Sequence, residues 1–185
     1  MAGGLIILDR DGVINQDSDD FIKSPDEWVP LEGSLEAIAA LSSAGFEVAV
    51  ASNQSGIGRK LIDRPALEGI HRKMQRMVRE AGGDIGKIVF CPHHPDDGCE
   101  CRKPAPGLLL DLSRQYGVPL GGVPVVGDSL RDIEAAIAVG ARPILVLTGN
   151  GQKTADALRR TGDSVETYAN LQDAAHALIE ERRRH

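Results

Sequence analysis

The chain contains 185 residues, of which 42% are hydrophobic and 26% are charged. This composition is ordinary for a folded globular protein, and it excludes a disordered chain, a collagen-like fibre and a coiled coil. The formal net charge of −6 argues against non-specific binding to nucleic acid, because such binding depends on neutralising phosphate groups. The length is that of one domain, so we expect a single domain over residues 1–185.

Short apolar runs alternate with amphipathic stretches along the chain. Such alternation predicts right-handed βαβ units and an α/β fold, with three layers (α/β/α) and a Rossmann-like parallel sheet covered by helices on both faces. Ser34 and Asn170 are predicted to cap the first and last helices. Residues 149–168 show poor periodicity, and no strand is predicted there. The predicted strands cover residues 5–8, 46–51, 85–90, 123–126 and 143–147, and the helices begin near residues 34, 63, 106, 129, 153 and 171.

Polar side chains follow three of the predicted strands. Asp9 and Asp11 come after the first strand, Ser52 after the second, and Asp128 after the strand at 123–126. The carboxyl ends of parallel strands lie along one edge of a sheet, so these residues are expected to converge. Carboxylates with several waters and a substrate phosphate are the environment that Mg²⁺ prefers.

Such a cluster suits phosphoryl transfer. One carboxylate can attack phosphorus, while a second carboxylate two residues later protonates the leaving oxygen and then activates water. Lys103 is the candidate cation that offsets the gathered negative charge. A structural alternative exists for Ser129 and Asp132, which fit a helix capping box, and Ser52 can be a simple turn former.

The four motifs together resemble those of the haloacid dehalogenase (HAD) superfamily of aspartyl-phosphate-forming hydrolases. They occur in the usual order: Asp-x-Asp-Gly, Ser, Lys-Pro and Gly-Asp-Ser-x-x-Asp. The resemblance implies that Asp9 is the nucleophile, that Asp11 is the general acid/base, and that Ser52 and Lys103 hold the phosphate. It also implies Mg²⁺ binding by Asp9, Asp128 and the backbone carbonyl of Asp11, with Ser129 and Asp132 behind these ligands.

The loop after the third strand contains three cysteines within eleven residues, Cys91, Cys99 and Cys101, together with His93 and His94. Three thiolates and one imidazole form a closed tetrahedral set for Zn²⁺, which indicates a structural site at 91–101. The spacing does not choose between the two histidines. The alternative is three ordinary thiols in a proline-rich turn.

Within the superfamily, this loop and the Asp-Arg-Asp-Gly and Ser-Asn-Gln-Ser-Gly-Ile motifs resemble one branch, which contains heptose bisphosphate phosphatases and histidinol-phosphatases. The resemblance implies His93 as the zinc ligand. It implies removal of the 7-phosphate of a heptose 1,7-bisphosphate for surface-glycan and lipopolysaccharide synthesis, with histidinol-phosphatase as the alternative. The substrate contacts implied are Asp17, Ser18, Asp19, Asp20, Ser52, Asn53, Gln54, Ser55, Arg102 and Lys103.

Further expectations concern the surroundings of the site. The segments between the motifs are too short for a large cap domain, so loops must define the substrate. Arg59, Lys60 and Arg102 are candidates for binding a second anionic group. The N-terminus lacks a basic region typical of a secretory signal, and clustered cysteines favour a reducing compartment, so a cytoplasmic monomer without membrane or nucleic-acid partners is expected. A non-catalytic, zinc-stabilised binding module is the alternative of another class.

Overall fold

A parallel sheet forms the centre of the fold in the computed structural model, which describes residues 4–184. The strands are β1 (Leu5–Leu8), β2 (Glu47–Asn53), β3 (Ile88–Cys91), β4 (Pro124–Gly127), β5 (Arg142–Val146) and β6 (Glu166–Tyr168). They lie in the order β3-β2-β1-β4-β5-β6, and each neighbouring pair is parallel. The predicted parallel α/β architecture is therefore confirmed.

Helices cover both faces of this sheet. Buried side chains of α1, α3 and α7 pack on one face, and those of α4 and α5 pack on the other. Two single 3₁₀ turns lie at Pro25–Glu27 and Pro95–Asp97. Within residues 4–184, the helices are α1 (Ser34–Ser43), α2 (Ser55–Gly58), α3 (Arg64–Glu80), α4 (Gly107–Tyr116), α5 (Leu130–Ala138), α6 (Gly151–Thr161) and α7 (Leu171–Arg183).

The central strand β1 shows why both faces need cover. Successive side chains of a strand point to opposite faces, so Ile6 and Leu8 pack towards α1, α3 and α7, while Leu5 and Ile7 pack towards α4 and α5. β1 pairs with β2 on one side and with β4 on the other. From β1 the chain builds the sheet first in one direction, through β2 and β3, and then in the other, through β4, β5 and β6. In open α/β sheets, ligands bind at the carboxyl ends of the strands beside such a switch point.

Three differences from the predicted elements have physical reasons. β3 begins at Ile88, three residues later than predicted, because buried Ile85 packs into the core before the strand starts. β6 was not predicted, since it is a three-residue edge strand in which no side chain is fully buried. The short helix α2 was also not predicted, because its sequence, Ser-Gly-Ile-Gly, has low helix propensity.

The prediction for the start of α1 was wrong. Gly33, with a φ of 75°, is the N-cap, and Ser34 is the first helical residue. The Ser34 hydroxyl donates instead to the carbonyl oxygens of Ile14 (2.6 Å) and Leu31 (2.8 Å), so it ties the helix start to the segment after β1. The predicted cap of α7 is confirmed, because the side chain of Asn170 accepts a hydrogen bond from the backbone N–H of the third helical residue.

None of the helices within residues 4–184 has the length and apolar character needed to cross a membrane. Residues 1–3 belong to the N-terminal segment on which the expectation of no secretory signal rests, and they lie outside the described residues. Residue 185, the last residue of the predicted domain, lies outside them as well.

Candidate active site and metal sites

Three carboxylates meet at the carboxyl edge of the sheet, beside β1 and β4. Asp9 follows β1, Asp128 follows β4, and Asp132 lies in the first turn of α5. One carboxylate oxygen from each lies within 4.8 Å of the others, and we call this group the carboxylate cluster. Burial and the neighbouring Asp132 raise the pKa of Asp9 well above its ordinary value, and nearby Lys103 offsets only part of this effect.

Lys103 neutralises part of the negative charge of the carboxylate cluster. Its Nζ lies 2.9 Å from Oδ1 of Asp9 and 2.6 Å from Oδ1 of Asp132, and it donates to the carbonyl oxygen of Ala51 at 2.7 Å. The side chain is only 4% exposed. Burial alone would lower the pKa of Lys103, but the Asp132 and Asp9 carboxylates raise it more, so the lysine stays charged.

Asp132 also serves its own helix. Its Oδ2 accepts hydrogen bonds from the backbone N–H of Ser129 (3.0 Å) and from the Ser129 hydroxyl (2.7 Å), while its Oδ1 faces Lys103. The contact to the Ser129 N–H is half of a capping box. Helix-start chemistry and charge placement are therefore combined in one side chain.

Asn53, at the end of β2, fixes the backbone of Lys103. Its Oδ1 accepts from the N–H of Lys103 at 3.0 Å, and its Nδ2 donates to the carbonyl oxygen of Lys103 at 3.1 Å. These two bonds place a loop residue against a rigid strand. Both polar atoms of Asn53 thereby serve to position Lys103.

The Asp11 carboxylate lines the same cavity and is held by a set of hydrogen-bond donors. It accepts hydrogen bonds from Arg10 Nη2 (2.9 Å), Asn15 Nδ2 (2.9 Å) and Gln54 Nε2 (2.9 Å). Burial raises the pKa of Asp11, but Arg10 and these hydrogen bonds outweigh it, so the net shift is downward. Asp11 is therefore ionised at neutral pH in this arrangement.

Arg10 is completely buried and links Asp11 to α3. Its Nη1 lies 3.5 Å from Nε2 of His71, and its Nη2 donates to Oε1 of Gln54 at 3.3 Å. Burial and the Arg10 charge lower the pKa of His71 to about 4, so the imidazole is neutral at pH 7. A neutral imidazole beside a buried guanidinium avoids repulsion between two charges.

Asp128 is held by the turn that follows β5. The backbone N–H of Asn150 donates to Asp128 Oδ2 at 2.7 Å, and the Thr154 hydroxyl donates to the carbonyl oxygen of Asp128 at 2.8 Å. Burial raises the pKa of Asp128 to about 6 despite the Asn150 N–H, and Asp132 adds to the increase. A nearby cation would favour the ionised form of this carboxylate.

A small cavity of about 160 Å³ opens above these groups. Ser52 is buried beneath it, where its Oγ accepts from Gln54 Nε2 at 2.6 Å. Asp19 and Asp20, which the resemblance implied as substrate contacts, are exposed and are not among the lining residues. The residues proposed from the sequence that line the cavity are Asp9, Asp11, Asp17, Ser18, Asn53, Gln54, Ser55, Arg102, Lys103, Asp128, Ser129 and Asp132.

Four further residues line the cavity and were not predicted: Phe21, Ile22, Arg131 and Asn150. Arg131 lies in the first turn of α5, three residues after Asp128, so the helix start itself brings it to this edge. Asn150 lies four residues after the end of β5, and applying the rule about strand ends to that strand would have found it. Phe21 and Ile22 follow the loop at 17–20 and carry no comparable signal.

The donor set of the carboxylate cluster suits a hard divalent cation. Asp9 and Asp128 offer carboxylate oxygens from two adjacent strand ends, whereas both oxygens of Asp132 are engaged by Lys103 and Ser129. An oxygen-only site with few protein ligands matches the preference of Mg²⁺, which keeps several waters. Asp9 and Asp128 are therefore the residues that would hold the ion.

A second group, the cysteine–histidine cluster, consists of Cys91, His93, Cys99 and Cys101. Nδ1 of His93 lies 3.2 Å from Sγ of Cys101 and 3.5 Å from Sγ of Cys91, and Cys99 lies 3.6 Å from each of the other two sulfurs. Tetrahedral zinc with its usual bond lengths separates its ligand atoms by roughly 3.5–3.8 Å. The cluster can hold a metal ion, and His94 is not one of its members.

Two family models match the chain. One, described as polynucleotide kinase 3 phosphatase, matches residues 5–128, and another, described as HAD-hydrolase-like, matches residues 100–174. The chain is 57% identical over 154 residues to D-glycero-beta-D-manno-heptose-1,7-bisphosphate 7-phosphatase of Pseudomonas aeruginosa, covering 83% of this chain and 86% of that one. It is 59% identical over 150 residues to the Bordetella bronchiseptica protein of the same name, covering 81% and 84%.

A solved structure is similar over nearly the whole chain. The crystal structure of D,D-heptose 1,7-bisphosphate phosphatase from B. bronchiseptica, complexed with magnesium and phosphate, aligns with a TM-score of 0.91 at 53% identity. The alignment covers 96% of this chain and 99% of that one.

Proposed function

Because the chain belongs to the HAD-like hydrolases and, within them, to the family of the D-glycero-beta-D-manno-heptose-1,7-bisphosphate 7-phosphatases, we propose that it is a Mg²⁺-dependent phosphatase acting on such a sugar bisphosphate. It removes the 7-phosphate and releases heptose 1-phosphate and inorganic phosphate. The product then supplies nucleotide-activated heptose for lipopolysaccharide and other surface glycans. The observation that carries this proposal is the meeting of Asp9, Lys103 and Asp128 at one edge of the sheet.

Asp9 is the nucleophile of the proposed mechanism. A carboxylate oxygen of Asp9 forms a bond to phosphorus as the bond between phosphorus and the C7 oxygen breaks, which gives an aspartyl-phosphate. Lys103, held 2.9 Å from Asp9, keeps a positive charge beside the group that carries the transferred phosphoryl. Bound Mg²⁺ would supply Lewis-acid charge that stabilises both the ionised carboxylates and the phosphoryl oxygens.

Asp11 handles the protons in both half-reactions. It protonates the sugar oxygen that leaves phosphorus, and it then takes a proton from the water that hydrolyses the aspartyl-phosphate. The lowered pKa of Asp11 suits the second, basic step. A phosphate group entering beside Asp11 adds negative charge, which raises the pKa of the carboxyl and favours the first, acidic step.

Unpaired arginines at the cavity support a substrate with two phosphates. Arg102 and Arg131 line the cavity, and none of the ion pairs within residues 4–184 includes either of them. Arg59 and Lys60, which the sequence suggested for a second anionic group, are not among the lining residues. Nη1 of Arg102 is buried without a hydrogen-bond partner, and burial together with the Arg131 charge lowers the pKa of Arg102. An anionic group that approaches Arg102 and Arg131 would satisfy this donor and relieve the repulsion between the two charges.

We also propose that the cysteine–histidine cluster holds structural Zn²⁺. Four protein ligands leave no position for water, so the ion contributes order rather than chemistry. Arg102 and Lys103 follow Cys101 directly. The bound ion would therefore fix the loop that delivers the active-site lysine.

The chain would act as one domain, as a monomer, in the cytoplasm, without nucleic acid or membrane as partner. The net charge of −6 opposes binding to phosphate backbones, and clustered thiols with a zinc geometry suit a reducing compartment. The substrate is a small phosphorylated sugar.

The proposed function is tested by the rate of phosphate release in the presence of Mg²⁺. The substrates are the two C1 anomers of heptose 1,7-bisphosphate, histidinol phosphate and an aryl phosphate. We expect kcat/KM to be highest for a heptose bisphosphate by at least about 100-fold, because only that substrate offers a second phosphate to Arg102 and Arg131. Faster hydrolysis of histidinol phosphate would contradict the proposed substrate, and no turnover of any substrate would contradict the enzyme itself.

A further inference from the structure

Asn150 occupies the N-cap position of α6, yet its side chain does not cap the helix. An asparagine at this position usually accepts a hydrogen bond from the second or third N–H of the helix. Here the amide turns away from the helix towards two carboxylates. Nδ2 donates to Oδ2 of Asp17 at 3.0 Å and lies 3.5 Å from Oδ2 of Asp128. The side chain of Asn150 thus contacts residues at the cavity instead of capping α6.

The turn that carries Asn150 is fixed against the carboxyl edge of the sheet. The Thr148 hydroxyl donates to the carbonyl oxygen of Gly12 at 2.6 Å. Gly149 has a φ of 56°, and any side chain there would collide with Asp128 and with Gly12. A glycine is therefore required at 149 for both its backbone conformation and the close approach. Asn150 is thus held in place by the backbone on its N-terminal side.

The partner of Asn150 in the other direction is the loop at residues 17–20. Asp17 is exposed, but its two oxygens are both engaged: Oδ1 accepts from the N–H of Ser18 at 2.8 Å, and Oδ2 accepts from Asn150. The N–H groups of the Asn150 amide lie between the carboxylates of Asp17 and Asp128 and offset the repulsion between these two like charges.

We propose that Asn150 is a positioning residue that ties the loop at residues 17–20 to Asp128. The tie keeps a sugar that contacts this loop aligned with the carboxylate cluster. This inference rests on the proposed function, because it assumes that the loop contacts the sugar and that Asp128 holds the cation. Asn150 acts through Asp17 and transfers no proton.

The test measures binding without turnover, in the full chain that carries Asp9→Asn and in the presence of Mg²⁺. Heptose 1,7-bisphosphate is titrated by calorimetry into this parent and into derivatives that add Asn150→Ala, Asp17→Ala or both. We expect each single change to raise Kd about tenfold, the loss of one hydrogen bond to a charged group. The double change should also raise Kd only about tenfold, because both remove the same link.

Two controls make the outcome specific. Asn170→Ala removes the asparagine that caps α7, away from the cavity, and should leave Kd unchanged. Manganese binding by proteins with Asp9 intact, followed by electron paramagnetic resonance, should change less than threefold in Asn150→Ala, because the backbone N–H of residue 150 still reaches Asp128.

The outcomes separate this inference from the proposed function. A wild-type chain without Mg²⁺-dependent turnover of heptose 1,7-bisphosphate overturns the proposed function and this inference with it. If the wild type turns over the substrate but the Asp9→Asn parent does not bind it, KM of the same variants with Asp9 intact replaces Kd. A parent that binds, combined with an unchanged Kd in Asn150→Ala or an additive, about 100-fold effect in the double variant, overturns the inference alone. A matching rise in Kd for Asn170→Ala, or loss of manganese binding in Asn150→Ala, overturns it as well.

Discussion

The carboxylate cluster and the cysteine–histidine cluster lie at the ends of strands in one sheet, but they are held in place differently. Asp9, Asp128 and Asp132 are mostly buried, and backbone groups and Lys103 fix their oxygens. The cysteine–histidine cluster starts on the last residue of β3 and continues through a polar loop, in which Cys91 is its one buried member.

This difference separates two tasks. In the proposed function, the carboxylate cluster would offer hard oxygens to a cation that keeps waters and contacts the substrate, whereas the cysteine–histidine cluster would enclose a structural metal with soft ligands. The two clusters meet at Lys103, which follows the loop in sequence and contacts the carboxylates in space. Damage to the first should therefore abolish chemistry at little cost in stability, and damage to the second should do the reverse.

The largest expected effect comes from Asp9→Asn. Loss of the nucleophile should reduce kcat by about 10⁴-fold or more. The fold should remain or become more stable, because the variant removes a buried carboxylate that Asp132 and Asp128 repel. Phosphate release and thermal melting followed by circular dichroism measure the two effects. Turnover near that of the wild type would show that the nucleophile is another residue.

Lys103→Met tests whether the lysine serves stability as well as chemistry. Removing the amine leaves Asp9 and Asp132 buried without their cation, so we expect unfolding to require about 3–5 kcal/mol less free energy, together with a loss of activity. Adding Asp132→Asn should restore much of the stability but none of the activity. Urea unfolding and phosphate release check this, and recovered activity in the double variant would contradict the role of Lys103 in turnover.

Cys99→Ser should show the opposite balance. We expect loss of bound zinc, a fall in melting temperature on the order of 5 °C or more, and about tenfold lower kcat/KM as Lys103 loses its exact placement. His94→Ala is the matched control, because His94 neighbours the cluster without belonging to it. Metal analysis and melting curves test both variants. Equal zinc content and stability in Cys99→Ser would remove the structural role of the loop metal.

The smallest expected effect concerns pH and depends on neither metal. The pKa of His71 is about 4 in the folded protein and about 6.5 in an unfolded chain, so the unfolded state binds more protons between these values. Stability should therefore be complete above pH 6.5 and decline as pH falls towards 4, with a loss of about 2 kcal/mol at pH 5.

His71→Gln isolates this contribution. Urea unfolding at pH 7 and pH 5 should show a difference about 2 kcal/mol smaller in the variant than in the wild type. The same pH dependence in both proteins would mean that His71 is not buried in its neutral form beside Arg10.

Much of the fold could be predicted because apolar runs and helix signals are local. Leu5–Leu8 and the Asp63 start of α3 follow from a few adjacent residues, and both agree with the structure. Ser34 shows the limit: its sequence context indicates a cap, but its hydroxyl bonds to Ile14, twenty residues earlier. Edge strand β6 has no such local signal, because its side chains are only partly buried.

The candidate site divides in the same way. The rule that parallel strands end at one edge brings Asp9 and Asp128 together from the sequence alone. The sequence does not reveal that the Asp11 carboxylate turns towards Arg10 and Gln54, since that direction depends on side chains packed from α3 and from the segment after β2. Asn150 was missed because the residues directly after β5, from Leu147 to Asn150, include no carboxylate that would mark this strand end.

The pair of hydrogen bonds between Asn53 and the backbone of Lys103 bears on how this enzyme can be re-engineered. The backbone of Lys103 is tied to β2 as well as to the loop that carries the cysteine–histidine cluster, so the number of residues between His94 and Cys99 need not set its position. That stretch is a surface excursion whose closure entropy grows only slowly with added length. It is therefore a suitable place to graft a recognition peptide or a fluorescent reporter while the amine of Lys103 keeps its position.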